Sequence, residues 1–149
     1  DLVDFDDAVP TYKRMLEDPQ SELGKKYPLV FIQYHDRLNV HSQQILAPAL
    51  GFVQSEPLLQ MNPVDMEPRG LSNGDTVRVW NDRGSMKCRI FETEAIVPGV
   101  TAMASGWTPD YFIEGEYQNL SHYEKNEVEE HISQTSTAFY DILVQVEKA

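Results

Sequence analysis

The sequence has little from which to build a covalent or metal framework, because Cys88 is its one cysteine in 149 residues. A single thiol excludes a disulfide scaffold, a thiolate zinc site and a cysteine-ligated iron–sulfur cluster within these residues. Bases are scarce too: 12 Lys and Arg stand against 24 Asp and Glu, for a net charge of −12. The phosphate-neutralising basic stripe of a nucleic-acid binder is therefore missing, and nucleic acid is not an expected partner. No run approaches the roughly 20 apolar residues of a membrane helix, and no basic, apolar leader stands at the start, so direct membrane insertion is not expected. Also absent are the glycine-rich phosphate loop ending in Gly-Lys-Ser/Thr, Gly-x-Gly-x-x-Gly, His-Glu-x-x-His and Gly-x-Ser-x-Gly. Ordinary ATPase, Rossmann, zinc-protease and hydrolase readings fall with them. What remains is 41% hydrophobic and 24% charged, the composition of a globule with one core. The chain opens on Asp1, which reads as a piece excised from something longer.

Charge and pattern divide the chain. Residues 1–25 form a linker or arm, with a helical run expected around Pro10 to Leu16 before the Asp18-Pro19-Gln20-Ser21 break. The domain proper is expected over 26–149. Leu29-Val30-Phe31-Ile32 is a short continuous apolar run, the pattern of a strand covered on both faces. The polar loop that follows, residues 33–43, holds Tyr34, His35, Asp36, Arg37, Asn39, His41, Ser42 and Gln43, a candidate binding element directly after a buried strand. Residues 45–52 read as a helical or irregular cover. Residues 57–61 read as a strand running into a short helix, with Asn62 at its N-cap, Pro63 at its first position, Asp65 in its first turn and Gly70 as its left-handed stop. Ser72-Asn73-Gly74-Asp75 is a turn. Val77 and Val79 alternate with Thr76, Arg78 and Trp80, and the loop 81–85 returns the chain as a hairpin into Met86, Cys88 and Ile90. Gly84 is expected to supply a positive φ there. Pro98-Gly99 turns the chain into 100–104, and 139–146 is the last strand, with Ile142, Val144 and Val146 on one face. Residues 107–138, acidic and aromatic, read as a long ordered loop with a helix near Glu124 to Ile132. Many short strands with short helices give a mainly β fold, a small barrel with helical inserts.

The chemistry-bearing residues each have a plain reading beside a functional one. His35, His41 and Asp36 share a loop, but a metal site needs further ligands and a second shell, and hydrogen-bonding histidines satisfy the same pattern. A Ser42–His41 nucleophile pair is weak, since adjacent residues rarely present both side chains to one reacting atom. Cys88 lies on a strand's apolar phase and reads as buried and inert. Asp36 and Arg37 read equally well as a solvated pair. Gly84-Ser85 has the form of a self-cleaving pyruvoyl precursor, and the surrounding Asn81-Asp82-Arg83-Gly84 is ordinary hairpin chemistry.

The order of motifs is informative. Lys26-Tyr27-Pro28-Leu29-Val30-Phe31-Ile32, Arg37, His41-Ser42, Met61-Asn62-Pro63-Val64-Asp65, Gly70 through Val79, Asn81-Asp82-Arg83-Gly84, Val97-Pro98-Gly99-Val100 and Leu143 through Lys148 together resemble the C-terminal domain of the dimethyl sulfoxide reductase family. Those are molybdenum or tungsten oxidoreductases carrying a bis(molybdopterin guanine dinucleotide) cofactor. The resemblance implies a double-psi β-barrel, of the kind also found in aspartate decarboxylase. It implies cofactor contacts from the first loop, at Tyr34, His35, Arg37, His41, Ser42 and Gln43, and from a later Asn-x-Leu-Thr-like segment. In this chain that segment reads Gly115-Glu116-Tyr117-Gln118-Asn119-Leu120-Ser121, so the contact falls on Gln118 or Asn119. It further implies that the metal ligand, any iron–sulfur cluster and the substrate funnel lie in other domains of a parent enzyme, and that a further partner is an electron-transfer protein carrying iron–sulfur clusters. No catalytic residue is expected in this piece. Two alternatives share the fold: a barrel that binds protein segments, and a self-processing decarboxylase using Ser85.

Overall fold

A computed structural model describes residues 12, 14–38, 40–43, 47–125, 137–138 and 141–149. The apolar run after Pro28 becomes β1 (Leu29–Tyr34), followed by β2 (Leu58–Met61), β3 (Thr76–Trp80), β4 (Ser85–Glu92), β5 (Val100–Ala104), β6 (Glu114–Gly115), β7 (Glu124–Lys125), β8 (Thr137–Ala138) and β9 (Ile142–Lys148). Strands pair in the order β2-β5-β1-β9-β3-β4, and β4 pairs again with β2. Six strands thus close into a barrel with no free edge along the ring. Two pairs, β1 with β5 and β2 with β4, are parallel, and the other four are antiparallel. This is the mixed six-stranded barrel with short helices that a double-psi fold requires. β6 adds to the outside of β4, and β7 pairs with β8 as a separate ribbon.

Alternation fills the barrel. Leu29 and Phe31, Val77 and Val79, Met86, Cys88 and Ile90, and Ile142, Val144 and Val146 are all buried, and each large aliphatic or aromatic side chain so removed from water contributes about 1.5–3 kcal/mol. Burial pushes the Cys88 thiol up to about 12, so it is protonated and inert as the strand phase implies. β1 is less covered than its sequence suggests. Ile32 is 39% exposed, because a barrel strand buries one face and none of the described residues covers the other at this position. The cover expected over 45–52 is also missing at its end: a four-residue helix, Pro48–Gly51, precedes Phe52, which stands 93% exposed.

Local signals before β3 act as their residue types dictate. Asn62 caps the helix Pro63–Met66 by accepting from the Val64 N–H at 3.0 Å, and a 3-10 turn at Glu67–Arg69 ends on Gly70 with φ 61°. The same helix orients the next strand. Asp65 Oδ2 accepts from the Gly99 N–H at 2.7 Å and Asn62 Nδ2 donates to the Ile96 carbonyl at 2.7 Å, which fixes the turn that launches β5.

The hairpin between β3 and β4 pairs Trp80 with Ser85, as expected, but Gly84 is not among the glycines with positive φ. Asn81 closes the loop instead: its side chain accepts from the Arg83 N–H at 3.0 Å and its own N–H donates to the Gly84 carbonyl at 3.0 Å. Glycine is required at 84 for space, since a Cβ there would lie 2.9 Å from the Asn119 carbonyl oxygen.

The arm assigned to 1–25 is docked over its last part. Ser21 caps a helix at Glu22–Lys26, Gly24 is buried against Pro19, and buried Glu17 accepts from the Leu143 N–H of β9 at 2.6 Å. Of the helix expected at Pro10 to Leu16, Pro10, Thr11 and Lys13 lie outside the described residues. Arg14 to Leu16 is not helical: Met15 and Leu16 are exposed, and a short helix without a buried face has nothing to hold it. The helix expected from Glu124 starts as β7, hydrogen-bonded to β8. Its remainder to Ile132 lies outside the described residues, as do Phe139 and Tyr140 of the last strand.

Candidate functional site

Because β1 and β5 run parallel and in register from Val30 opposite Val100 to Tyr34 opposite Ala104, their following segments leave the barrel side by side. Between them lies a cleft of about 470 Å³, lined by Gln33, His35, His41 and Ser42 on one wall and by 105–109, Glu116, Tyr117 and Gln118 on the other. That size suits a small-molecule ligand.

The first wall is polar and exposed. His41 has φ 51°, alone among the described non-glycine residues in the left-handed region. Histidine tolerates that conformation better than most residues. Gly106 makes it possible for the two segments to cross: with φ 102°, a Cβ at 106 would lie 2.1 Å from the His41 carbonyl oxygen. The rings of His35 and His41 meet edge to face with centroids 5.2 Å apart. Asp36 Oδ1 accepts from the Leu38 N–H at 2.7 Å, and the Gln43 N–H donates to the Val40 carbonyl at 3.1 Å.

The second wall rests on buried aromatics. Trp107 stacks tilted on Tyr111 at 5.3 Å and Phe112 on Tyr117 at 5.5 Å. The Tyr117 hydroxyl accepts from the Gly106 N–H at 3.1 Å and donates to the Trp107 carbonyl at 3.3 Å. A 3-10 turn at Tyr117–Leu120 then buries Tyr117 and Leu120 and leaves Gln118 exposed. Trp107 Nε1 is buried and has no hydrogen-bond partner among the described residues.

Four residues expected at the site, His35, His41, Ser42 and Gln118, therefore meet in one cleft although they come from segments far apart in sequence. The others stand elsewhere. Tyr34 ends β1 half-buried, its hydroxyl accepting from Gln60 Nε2 at 2.5 Å, with its pKa raised by burial and by Asp36. Arg37 and Gln43 are exposed on the loop but do not line the cleft. Asn119 is exposed but does not line the cleft, its carbonyl lying against Gly84 and its amide nitrogen beside Gly115. Sequence reasoning missed 105–109 and Glu116. The signal available was Ser105-Gly106 directly after an apolar strand, the same strand-then-polar pattern that singled out 33–43.

Barrel and cleft define a double-psi ligand-binding domain whose site opens at the ends of two parallel strands. Residues 29–135 match the family described as "Molydopterin dinucleotide binding domain". The chain is 37% identical over 124 residues to a putative dimethyl sulfoxide reductase catalytic subunit from Halobacterium salinarum, covering 83% of this chain and 14% of that protein. It is 31% identical over 146 residues to the alpha subunit of chlorate reductase from Ideonella dechloratans, covering 84% of this chain and 15% of that one. In three dimensions it is similar to acetylene hydratase from Pelobacter acetylenicus, with a TM-score of 0.71 and 22% identity over 96% of this chain and 22% of that chain. The chain belongs to the molybdopterin dinucleotide binding domain family, and it spans 14–15% of the length of these two curated relatives.

Proposed function

We propose that the cleft holds a dinucleotide end of a bis(molybdopterin guanine dinucleotide) cofactor in a larger molybdenum or tungsten oxidoreductase. His35, His41 and Ser42 offer donors to the phosphates, and Gln118 offers an amide to the heterocyclic edge. Arg37 supplies positive charge on the exposed side of the same loop, with Tyr34, Gln43 and Asn119 supporting the two walls. The observation that carries this reading is the convergence of His35, His41 and Ser42 with Gln118 across one cleft, since these are the positions where the family pattern expects cofactor contacts. When bound, the metal centre supplies the redox chemistry. This chain's part is to bind and orient. The rest of the parent enzyme supplies the metal ligand and the substrate path, an iron–sulfur cluster stands in the parent chain, and an iron–sulfur subunit passes electrons to it.

Equilibrium dialysis of released molybdopterin guanine dinucleotide against this chain tests the reading. Wild type retains the ligand, and His41→Ala and Gln118→Ala each raise Kd about tenfold, or about 1.4 kcal/mol. Equal retention by wild type and both variants overturns it.

A further inference from the structure

We infer that the 81–84 hairpin and Glu17 form a clamp on the Tyr117–Leu120 turn, making Asn81 and Arg83 positioning residues for the Gln118 wall; the inference rests on the cofactor reading of the cleft. The turn has little to hold itself. Its own backbone bonds are Asn119 N–H to the Glu116 carbonyl at 3.1 Å and Ser121 N–H to the Gln118 carbonyl at 3.2 Å, and a four-residue 3-10 turn is marginal alone. Its place is set from outside: the Tyr117 hydroxyl ties its start to Gly106 and Trp107, and two donors meet on one atom at its end. The Leu120 carbonyl accepts from Arg83 Nε at 2.7 Å and from Asn81 Nδ2 at 2.9 Å.

Both donors are themselves held. Asn81 Nδ2 also reaches the Leu143 carbonyl of β9 at 3.2 Å. The Arg83 guanidinium pairs with Glu17, which is buried and accepts from the Leu143 N–H at 2.6 Å. Gly84 completes the fit, because any Cβ there would push on the Asn119 carbonyl from 2.9 Å. Tyr117 and Leu120 are buried beneath, Asn119 is exposed outside the cleft with its carbonyl against Gly84, and Gln118 is the exposed residue of the turn that lines the cleft, its Oε1 accepting from the Ser121 hydroxyl at 3.1 Å. A shift at Leu120 therefore moves Gln118. The hairpin motif thus holds the cofactor wall from behind without lining the cleft.

The test compares wild type with Arg83→Lys and Gly84→Ala in this 149-residue chain. Lysine keeps a cation for Glu17 and loses the Nε–H donor. Alanine keeps every polar group and crowds Asn119. Amide hydrogen exchange reads the turn, and a chemical-shift titration with guanosine diphosphate reads the cleft. The expected result is exchange at Asn119 and Ser121 faster by at least tenfold with β1 and β5 amides unchanged, a Kd for guanosine diphosphate raised at least fivefold, and ligand shifts lost at Gln118 but kept at His41 and Ser42. A purely structural role would instead weaken the shifts on both walls together, and would overturn the inference. Unchanged ligand shifts at Gln118 in both variants overturn it as well, with the cofactor reading left standing. A wild-type chain that shows no localised shifts overturns the cofactor reading, and the inference with it.

Discussion

The two walls of the cleft are built on opposite principles. The 33–43 wall is a polar loop whose side chains face outward, held by short local bonds such as Asp36 to Leu38 and by the crossing of His41 over Gly106. The wall formed by 105–121 is core turned inside out: Trp107, Phe112, Tyr117 and Leu120 are buried, and its more exposed lining residues are 105, 106, 108 and 109 with Glu116 and Gln118. One wall can change its side chains without changing the fold. The other cannot, because the residues that shape it also complete the barrel's core. A cleft made this way keeps its geometry on one side and its chemistry on the other.

Substitutions can break this contrast, and their expected costs run in order. Leu120→Ala, at a position with no solvent exposure, costs about 3 kcal/mol for lost burial plus cavity, read as a lowered midpoint in denaturant unfolding. Next comes Gly106→Ala, which places a Cβ 2.1 Å from the His41 carbonyl oxygen at a φ of 102°. It costs about 2 kcal/mol and shifts amide resonances on both walls at once, since this is where they touch. Tyr117→Phe removes the hydroxyl that joins Gly106 to Trp107 and costs about 1 kcal/mol in the same unfolding experiment. Arg37→Ala, on the exposed loop, changes stability by less than about 0.5 kcal/mol. If Arg37→Ala proved as costly as Leu120→Ala, the distinction between the walls would be lost.

The polar wall was legible in the sequence because it declares itself by composition: histidine, serine, arginine and glutamine directly after an apolar strand. The barrel strands were legible for a related reason, since Val77, Val79, Met86, Cys88 and Ile90 keep a strict alternation. The aromatic wall was not legible. Trp107 and Tyr117 look like core residues and are core residues, and their second role comes from β5 lying parallel to β1, a long-range pairing that no local pattern encodes. Gly84 shows the same limit. Its conformation was expected from hairpin chemistry, while its actual requirement is the approach of Asn119 from a distant part of the chain. Glu17 was assigned to a linker because acidity reads as solvated, whereas Arg83 and the Leu143 N–H bury it. Between Gln118 and Asn119 the sequence offers no distinction; in the turn both are exposed, and Gln118 is the one that lines the cleft.

The most direct measurement is an amide chemical-shift titration of the labelled wild-type chain with guanosine diphosphate to millimolar concentration. The account expects shifts on both walls together, at His35, His41 and Ser42, at 105–109 and at Gln118, with the separate groove lined by Pro68, Arg69 and 145–148 silent. Shifts confined to that groove, or none at any site, would contradict it.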